Sequence, residues 1–300
     1  MNITSTGQEA DRRADRPVPA MRLHGHPLEG NLSRALAAEA VGTMILVLAI
    51  TATAVAAALG RPIAGTPYGS LAVVAAGGLA LAVIAAGLGP VSGGHVNPAV
   101  TVGLAVSGRF PWTHVLPYIA AQFTGAVAAA AVTWGLYGDQ ARSMAGLGAT
   151  YPPAGVSAGR ICAAEAVGTF VLVLVVVAVA TDDRVPRGVA AVAIGAALAT
   201  AIVVTGAVSG AGLNPARAIG PMTLVGRFTD WWAYLVAPLA AGTLAVTLYD
   251  RVLRAGRQRA GNLLRRLITA SRASSGSRRQ RPGQRRAGDE ACVPAAERMR

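Results

Sequence analysis

The sequence predicts an all-α membrane protein with six transmembrane helices, two re-entrant half-helices and an inverted repeat of three plus three spans. The first observation is composition: the 300 residues are 53% hydrophobic and only 14% charged, which is typical of a membrane protein. The second is a stretch that occurs twice, as residues 91–99 (VSGGHVNPA) and residues 208–216 (VSGAGLNPA). The third is a repeat of the letters AEAVGT, at residues 38–43 and 164–169.

Six apolar stretches have lengths near the requirement of about 20 residues for a helix that crosses a bilayer. Each contains at most one charged residue, and they are residues 35–59, 69–89, 115–137, 161–181, 188–208 and 231–249. Three spans fall in each half, and an odd number makes the second half enter the membrane from the opposite side. We therefore expect inverted repeats at about residues 34–138 and 160–252, within one membrane domain of residues 34–252.

Each copy of the duplicated stretch predicts the start of a short helix. Asn is among the best N-cap residues, and Pro suits the first helical position because an N–H there would have no partner. Asn97 and Asn214 should therefore cap helices over residues 98–108 and 215–224. At about 1.5 Å per residue, each helix spans about half of a hydrocarbon core of about 30 Å. We expect them to meet at the midplane, with the Asn amide N–H groups free to face a lumen.

Four further polar residues lie within this predicted membrane body. Arg217 should face a water-filled lumen as a donor, because an Arg that faces lipid costs about 2.5 to 3.5 kcal/mol; a structural ion pair is the alternative. Glu39 and Glu165 are predicted to accept backbone N–H groups and support the two loops, rather than to belong to a substrate path. His95 is expected to tether its loop or line the lumen. It has no second ligand at a suitable spacing, so no metal site is predicted.

The basic residues predict the orientation and the tails. All 27 are Arg, and many follow residue 250. We expect residues 1–33 to be a disordered cytoplasmic tail and residues 253–300 a basic, largely disordered cytoplasmic tail, with a surface helix allowed at 251–270. A basic tail beside a membrane body favours anionic lipid, rather than nucleic acid, as its partner. The positive-inside rule supports this, because Arg34, Arg109, Arg184, Arg187 and residues 251–259 fall on one side, against Arg61, Arg142, Arg160 and Arg227 on the other.

Residues 92–101 (SGGHVNPAVT) and 213–217 (LNPAR) resemble the two signatures of the major intrinsic protein family, the aquaporins and aquaglyceroporins. The resemblance extends over about residues 33–252. Residues 109–112, 117–122 and 180–182 are similar to the nodulin-26-like branch and its bacterial relatives. The resemblance implies a homotetramer with a pore in each subunit for water or small neutral solutes. It assigns the paired pore motifs to Asn97, Pro98 and Ala99, and to Asn214, Pro215 and Ala216.

The resemblance also implies a narrow ring at the outer side of the pore. Its four family positions correspond here to Gly77, Ile202, Ala211 and Arg217. Strict water channels carry an aromatic residue and a His at the first two, and polyol facilitators carry an Asp where this chain has Ala218. We therefore expect a wide, half-apolar ring that admits glycerol, urea, or uncharged boric or arsenous acid, with water passing as well.

Two other classes of function are alternatives to a channel. A secondary transporter also uses inverted repeats and broken helices, but it couples transport to ions through midplane carboxylates, and only Glu39 and Glu165 are available. An enzyme would need a nucleophile and a base, or a phosphate loop, and the sequence shows neither. We therefore expect no catalytic residue and no cofactor, in a multi-pass protein of the plasma (inner) membrane.

Overall fold

The computed structural model describes residues 31–182 and 184–254. The chain divides into two units, residues 1–253 and 254–300, and Arg254 is the only described residue of the second. The predicted tails, at residues 1–33 and 253–300, therefore lie almost entirely outside the described residues. The account below concerns the first unit.

The described residues form helices joined by short loops, with no β-strand among them. Six helices are long and apolar enough to cross a membrane, which confirms the predicted spans. A 3-10 turn at Gly146–Gly148 and a π-helical turn at Tyr249–Arg254 complete the assignment. In chain order the helices are α1 (Leu32–Ala58), α2 (Ser70–Gly87), α3 (Gly89–Ser92), α4 (Pro98–Val106), α5 (Trp112–Tyr137), α6 (Asp139–Ser143), α7 (Ala158–Ala180), α8 (Arg187–Ser209), α9 (Pro215–Val225) and α10 (Ala233–Leu248).

The two half-helices are α4, with 9 residues, and α9, with 11 residues. Each begins at the Pro of its Asn-Pro pair, as predicted. Because a helix rises about 1.5 Å per residue, each covers roughly half of the hydrocarbon core. The break before each helix is made by backbone that only Gly adopts easily, since Gly93 and Gly210 have φ angles of 94° and 82°.

The packing of the helices repeats between the two halves. Helix α1 packs on α5 as α7 packs on α10, and α2 crosses α8 between the halves. Each half-helix packs on the last span of the opposite half, α4 on α10 and α9 on α5. Close approach depends on small residues at these contacts, because Gly103 meets Gly242 and Gly220 meets Ala126. The two inverted halves, of three spans each, are therefore held together because the half-helix of each packs on a helix of the other.

The crossing of α2 and α8 has a glycine from each helix at its centre. A Cβ atom added to Gly78 would lie 2.9 Å from the carbonyl oxygen of Gly195, and one added to Gly195 would meet the carbonyl oxygen of Gly78. The two backbones are therefore in direct contact, as small residues allow in membrane helices. Apolar side chains pack around this contact, among them Leu81, Ile84, Ile194 and Leu198.

We predict that Gly195→Ala destabilises the folded protein by about 1 to 3 kcal/mol, because the added methyl group overpacks the crossing. The matched control is Gly188→Ala on the same helix, where an added Cβ meets nothing within 4 Å. The measurement is the thermal unfolding midpoint of both variants in detergent. Equal midpoints would show that the crossing tolerates a side chain.

Candidate functional site

The two Asn side chains cap the half-helices as predicted. Asn97 has extended backbone, with φ −157° and ψ 121°, and its Oδ1 accepts from the N–H of Ala99 at 2.8 Å. Asn214 has φ −155° and ψ 110°, and its Oδ1 accepts from the N–H groups of Ala216 at 3.0 Å and Arg217 at 3.3 Å. Both N-termini therefore have a fixed side-chain acceptor and carry the positive end of the helix dipole.

Val96, the residue before Asn97, is held in a strained backbone conformation. Val96 has φ 42°, in the left-handed region, where a β-branched residue is a rare outlier and the strain is of the order of 1 to 3 kcal/mol. Its N–H donates to Glu39 Oε2 at 2.7 Å. Its carbonyl oxygen accepts from Asn214 Nδ2 at 2.7 Å. Val96 is thus fixed on one side by its own half of the chain and on the other by the opposite half.

The second loop repeats this arrangement. Leu213 has φ 52°, its N–H donates to Glu165 Oε2 at 2.6 Å, and its carbonyl oxygen accepts from Asn97 Nδ2 at 2.9 Å. The prediction that both amide N–H groups of each Asn are free for the lumen is therefore wrong for one N–H of each. Since each amide carries two N–H groups, one binds the opposite loop, and only the other is left over.

The two intramembrane carboxyl groups each bind several donors from the loops. Glu39 Oε1 also accepts from Ser92 Oγ at 2.7 Å and from the N–H of His95 at 2.9 Å. Glu165 Oε1 accepts from Ser209 Oγ at 2.6 Å and from the N–H of Gly212 at 2.8 Å. This geometry matches the predicted support of irregular backbone at membrane depth, where every polar group needs a partner.

Two tyrosines that the sequence analysis missed complete the support. Tyr118 donates its hydroxyl to the carbonyl oxygen of Ser92 at 2.9 Å, and Tyr234 donates to that of Ser209 at 2.5 Å. Both pairs occupy equivalent places in the two halves. Aligning the halves on their signature loops would have matched the two serines, and the two tyrosines to within one residue.

His95 is tethered, and it also borders the cavity described next. It is 4% exposed, its Nδ1 lies 3.1 Å from Thr101 Oγ1, and its ring centroid is 4.8 Å from that of Phe110. Gln122 Nε2 joins this group to the carboxyl support, donating to Thr101 Oγ1 at 3.0 Å and to Glu39 Oε2 at 2.7 Å. The described residues hold no group of three or more His, Cys, Asp or Glu side chains placed to bind a metal ion.

A cavity runs between the two loops and is lined by residues from both halves. Asn97 and Asn214 border it, as do several apolar side chains of α1, α7 and α8. Leu104, Arg109, Ala180 and Thr181 line it near the C-terminal ends of α4 and α7. Ile50, Ile202, Ala211 and Arg217 also line it, near Gly77 and the start of α9. Because α4 and α9 run in opposite directions from the paired loops, we infer that these two groups lie at opposite ends. We refer to these as the Arg109 end and the Arg217 end.

Arg217 is positioned by the loop that joins the two halves. It is 5% exposed, its Nη1 donates to Thr150 Oγ1, and its Nη2 donates to the carbonyl oxygen of Gly148 at 3.4 Å. Its buried Nε has no hydrogen-bond partner among the described residues. Neither of the ion pairs found in the described part of the chain includes Arg217. The geometry therefore favours a lumen donor over a structural ion pair.

The same loop is anchored beside α9 by Tyr151. Its hydroxyl donates to the carbonyl oxygen of Arg227 at 3.2 Å, and the Arg227 guanidinium lies over its ring at 4.4 Å from the centroid. Burial raises the pKa of the Tyr151 phenol, and the charge of Arg227 opposes that rise. The phenol therefore stays a neutral donor in this contact.

The four positions of the predicted ring are not equivalent in the structure. Ile202, Ala211 and Arg217 border the cavity. Gly77 is buried, and a Cβ atom added to it would lie 3.0 Å from Ile202 Cδ1 and 3.2 Å from Ile50 Cγ1. The side chains of Ile202 and Ile50 therefore cover Gly77, which lies behind them. The space that a side chain at position 77 would have used is occupied, so the missing side chain does not by itself widen the cavity.

A partly buried ion pair at the Arg109 end was also missed by the sequence analysis. Arg109 donates from Nη1 and Nη2 to the two carboxylate oxygens of Asp250, at 2.7 and 2.5 Å. The pair joins the segment after α4 to the turn that follows α10. Because both side chains are bound in a two-point contact, the charge of Arg109 is compensated where it borders the cavity.

Comparison with known proteins agrees with this architecture. The family model described as major intrinsic protein matches residues 29–249. The chain is 37% identical to the probable aquaporin AqpM of Archaeoglobus fulgidus, covering 73% of this chain and 96% of that protein. It is 35% identical to aquaporin NIP1-3 of Oryza sativa subsp. japonica, over 76% and 77% of the two chains. The X-ray structure of the aquaglyceroporin from Plasmodium falciparum matches with a TM-score of 0.67 and 25% identity, over 74% of this chain and 97% of that one.

The fold and the paired loops define a multi-pass membrane channel built from inverted repeats. The chain belongs to the major intrinsic protein family. It is therefore a channel for water or small solutes, and not an enzyme, as the sequence predicted.

We predict that Asn214→Leu lowers both the yield of folded protein and the flux through it. The change removes a helix cap worth about 1 kcal/mol, the hydrogen bond to Val96 and a donor in the cavity. Asn31→Leu is the matched control, because Asn31 caps α1 at an exposed site away from the cavity. Folded yield is measured by size-exclusion chromatography, and flux by liposome swelling per inserted protein. Parent-like yield and flux in Asn214→Leu would contradict the assigned role.

Proposed function

We propose that this protein is a passive channel for water and small neutral solutes, and that it excludes ions and protons. The observation that carries the proposal is the composition of the cavity. Two half-helix N-termini and the donor-bearing side chains of Asn97, Asn214 and Arg217 border a lumen that is otherwise largely apolar. A neutral oxygen can accept from these donors in turn, while apolar side chains hold it weakly enough to leave.

Exclusion of cations and protons follows from the sign of the charges around the lumen. Both half-helices present the positive ends of their dipoles at the midplane, and Arg217 adds a full charge at its end. A cation that enters would face three positive groups with no carboxylate on the cavity wall among the described residues. Arg109 adds little to this barrier, since Asp250 compensates it.

The solute class follows from the Arg217 end. Ile202 offers an apolar surface opposite a guanidinium donor, an arrangement that suits molecules with both carbon and hydroxyl or amide groups. Glycerol, urea and uncharged boric or arsenous acid meet this description, and water passes with them. The family resemblance implies a filter at Gly77, Ile202, Ala211 and Arg217; of these, Ile202, Ala211 and Arg217 border the cavity, and Gly77 contributes as the backbone on which Ile202 and Ile50 pack.

A secondary transporter remains the alternative, and the carboxyl groups argue against it. Ion coupling needs a carboxylate that binds and releases the ion on the transport path. Glu39 accepts four hydrogen bonds and Glu165 accepts three, all from the loops and their supports. Neither side chain borders the cavity.

We further propose a homotetramer in the plasma membrane with both termini in the cytoplasm. The orientation rests on the Arg residues near the Arg109 end, including Arg184, Arg187 and Arg251. Apolar side chains such as Leu79, Leu116 and Leu244 are exposed on the outer faces of the helices, and either lipid or neighbouring subunits would cover them. The channel domain comprises residues 34–252, and the Arg-rich tail after it is proposed to contact anionic lipid.

We predict that solute flux into proteoliposomes is linear in the solute gradient and depends weakly on temperature. A channel does not change conformation for each solute molecule, whereas a carrier does. The measurement is stopped-flow light scattering with water, urea and glycerol, with protein-free liposomes as the control. Saturation at rising solute concentration, or flux driven by an ion gradient, would favour the transporter.

We predict that Arg217→Val preserves flux of neutral solutes but raises proton leak about tenfold, because it removes the fixed charge at the narrow end. The control is Arg61→Val, since Arg61 is an exposed residue that donates to Gln140 Oε1 away from the cavity. Proton leak is followed with a pH-sensitive dye inside liposomes under an imposed potential. Identical leak in parent and variant would remove Arg217 from the barrier.

A further inference from the structure

We propose that Ile50 of α1 is a specificity-determining residue, which together with Ile202 sets the size limit for solutes at the Arg217 end. This inference rests on the proposed function as a neutral-solute channel. It adds a residue from the first span, outside the four positions that family resemblance supplies.

The first step is that Ile50 occupies the space beside Gly77. A Cβ atom at Gly77 would lie 3.2 Å from Ile50 Cγ1 and 3.3 Å from Ile50 Cδ1. Because these distances are tighter than ordinary carbon contacts, the Ile50 side chain is packed directly on the Gly77 backbone. Ile50 also borders the cavity, whereas Gly77 does not. The side chain that faces the lumen at this place therefore comes from α1 instead of α2.

The second step is that Ile50 lies at the same depth as Arg217. The next residue of α1, Thr51, is in contact with Gly148, where an added Cβ would lie 2.7 Å from Thr51 Cα. Gly148 in turn accepts a hydrogen bond from Arg217 Nη2 through its carbonyl oxygen. A chain of direct contacts thus runs from the Arg217 guanidinium to the turn of α1 that carries Ile50.

The third step is that the rotation of α1 is fixed here. Thr51 Oγ1 lies 2.8 Å from Thr133 Oγ1 of α5, and both residues are fully buried. Since successive residues point about 100° apart around a helix, this contact directs Ile50 away from α5. Ile50 is 4% exposed, whereas Ile45 of the same helix is 40% exposed on its outer face.

These contacts define the opening as a gap between two isoleucines and one arginine. Ile50 and Ile202 meet over Gly77, so their branched side chains form one apolar surface. Ala211 is too small to add to it, and Arg217 faces it with donors. A solute of this channel must therefore pass Ile50, and the volume of that side chain limits its width.

The experiment compares Ile50→Val and Ile50→Ala with the parent in a series of neutral solutes of rising size: water, urea, glycerol and erythritol. Liposome swelling is normalised to inserted protein, and the readout is the ratio of each solute flux to water flux. Ile45→Ala is the matched control, because it removes the same atoms from the outer face of the same helix. Size-exclusion chromatography confirms that each variant is folded.

We expect the ratio to rise stepwise from parent to Val to Ala, by about fivefold or more for erythritol, while Ile45→Ala keeps the parent ratio. If Ile50→Ala folds and its ratios equal those of the parent, Ile50 is a packing residue only and the inference is wrong. An equal rise in Ile45→Ala would also overturn it, since a general loosening of α1 would then be the cause. If the parent passes neither water nor any solute, the proposed channel function is wrong. That result differs from a failure of the Ile50 inference, in which the parent conducts but the Ile50 variants keep its flux ratios.

Discussion

The structure depends on a reciprocal pair of hydrogen bonds between the loops that precede the two half-helices. Asn97 binds the carbonyl oxygen of Leu213, and Asn214 binds that of Val96. Both acceptors belong to residues with positive φ angles, which cost energy in isolation. Neither half can satisfy its own loop, because the amide that each loop needs lies in the other copy. This exchange explains why the chain carries the motif twice, and why both copies must enter to the same depth.

The rest of the fold brings the two loops to that point. Carboxyl groups from α1 and α7 hold the loop N–H groups, and the half-helices reach across to the last spans of the opposite halves. Backbones must approach closely for this, so glycine occurs at the crossing of α2 and α8 and where α4 meets α10. At membrane depth no water can replace a lost partner. The polar network and the small residues therefore serve the same purpose, which is to bring the two loops into contact with their buried polar groups hydrogen-bonded.

Much of this could be predicted from the sequence, because the duplicated motif carries its own chemistry. Local residue preferences predict the caps at Asn97 and Asn214 and the half-helices that they begin. The odd number of spans in each half predicts that the two halves are inverted. The support of the loops by Glu39 and Glu165 could also be predicted from the sequence, because the same six residues, AEAVGT, surround both. The Arg109–Asp250 ion pair could not be predicted from the sequence, because its two residues are far apart along the chain and lie in no repeated motif. Only the packing of α10 beside α4 brings them together.

The narrow part of the pore at the Arg217 end shows the limit of comparing single sequence positions with those of a family. The sequence shows that Gly77 has no side chain, and the simple consequence is an open space. Space inside a packed protein is rarely left empty, however, and neighbouring side chains fill it. Here Ile50 reaches it from a different helix, so the effect of Gly77 on the lumen depends on the residue that replaces its missing side chain. The bore of such a pore is therefore a property of packed volumes from several helices. It can be derived from named positions only when the residues behind them are known as well.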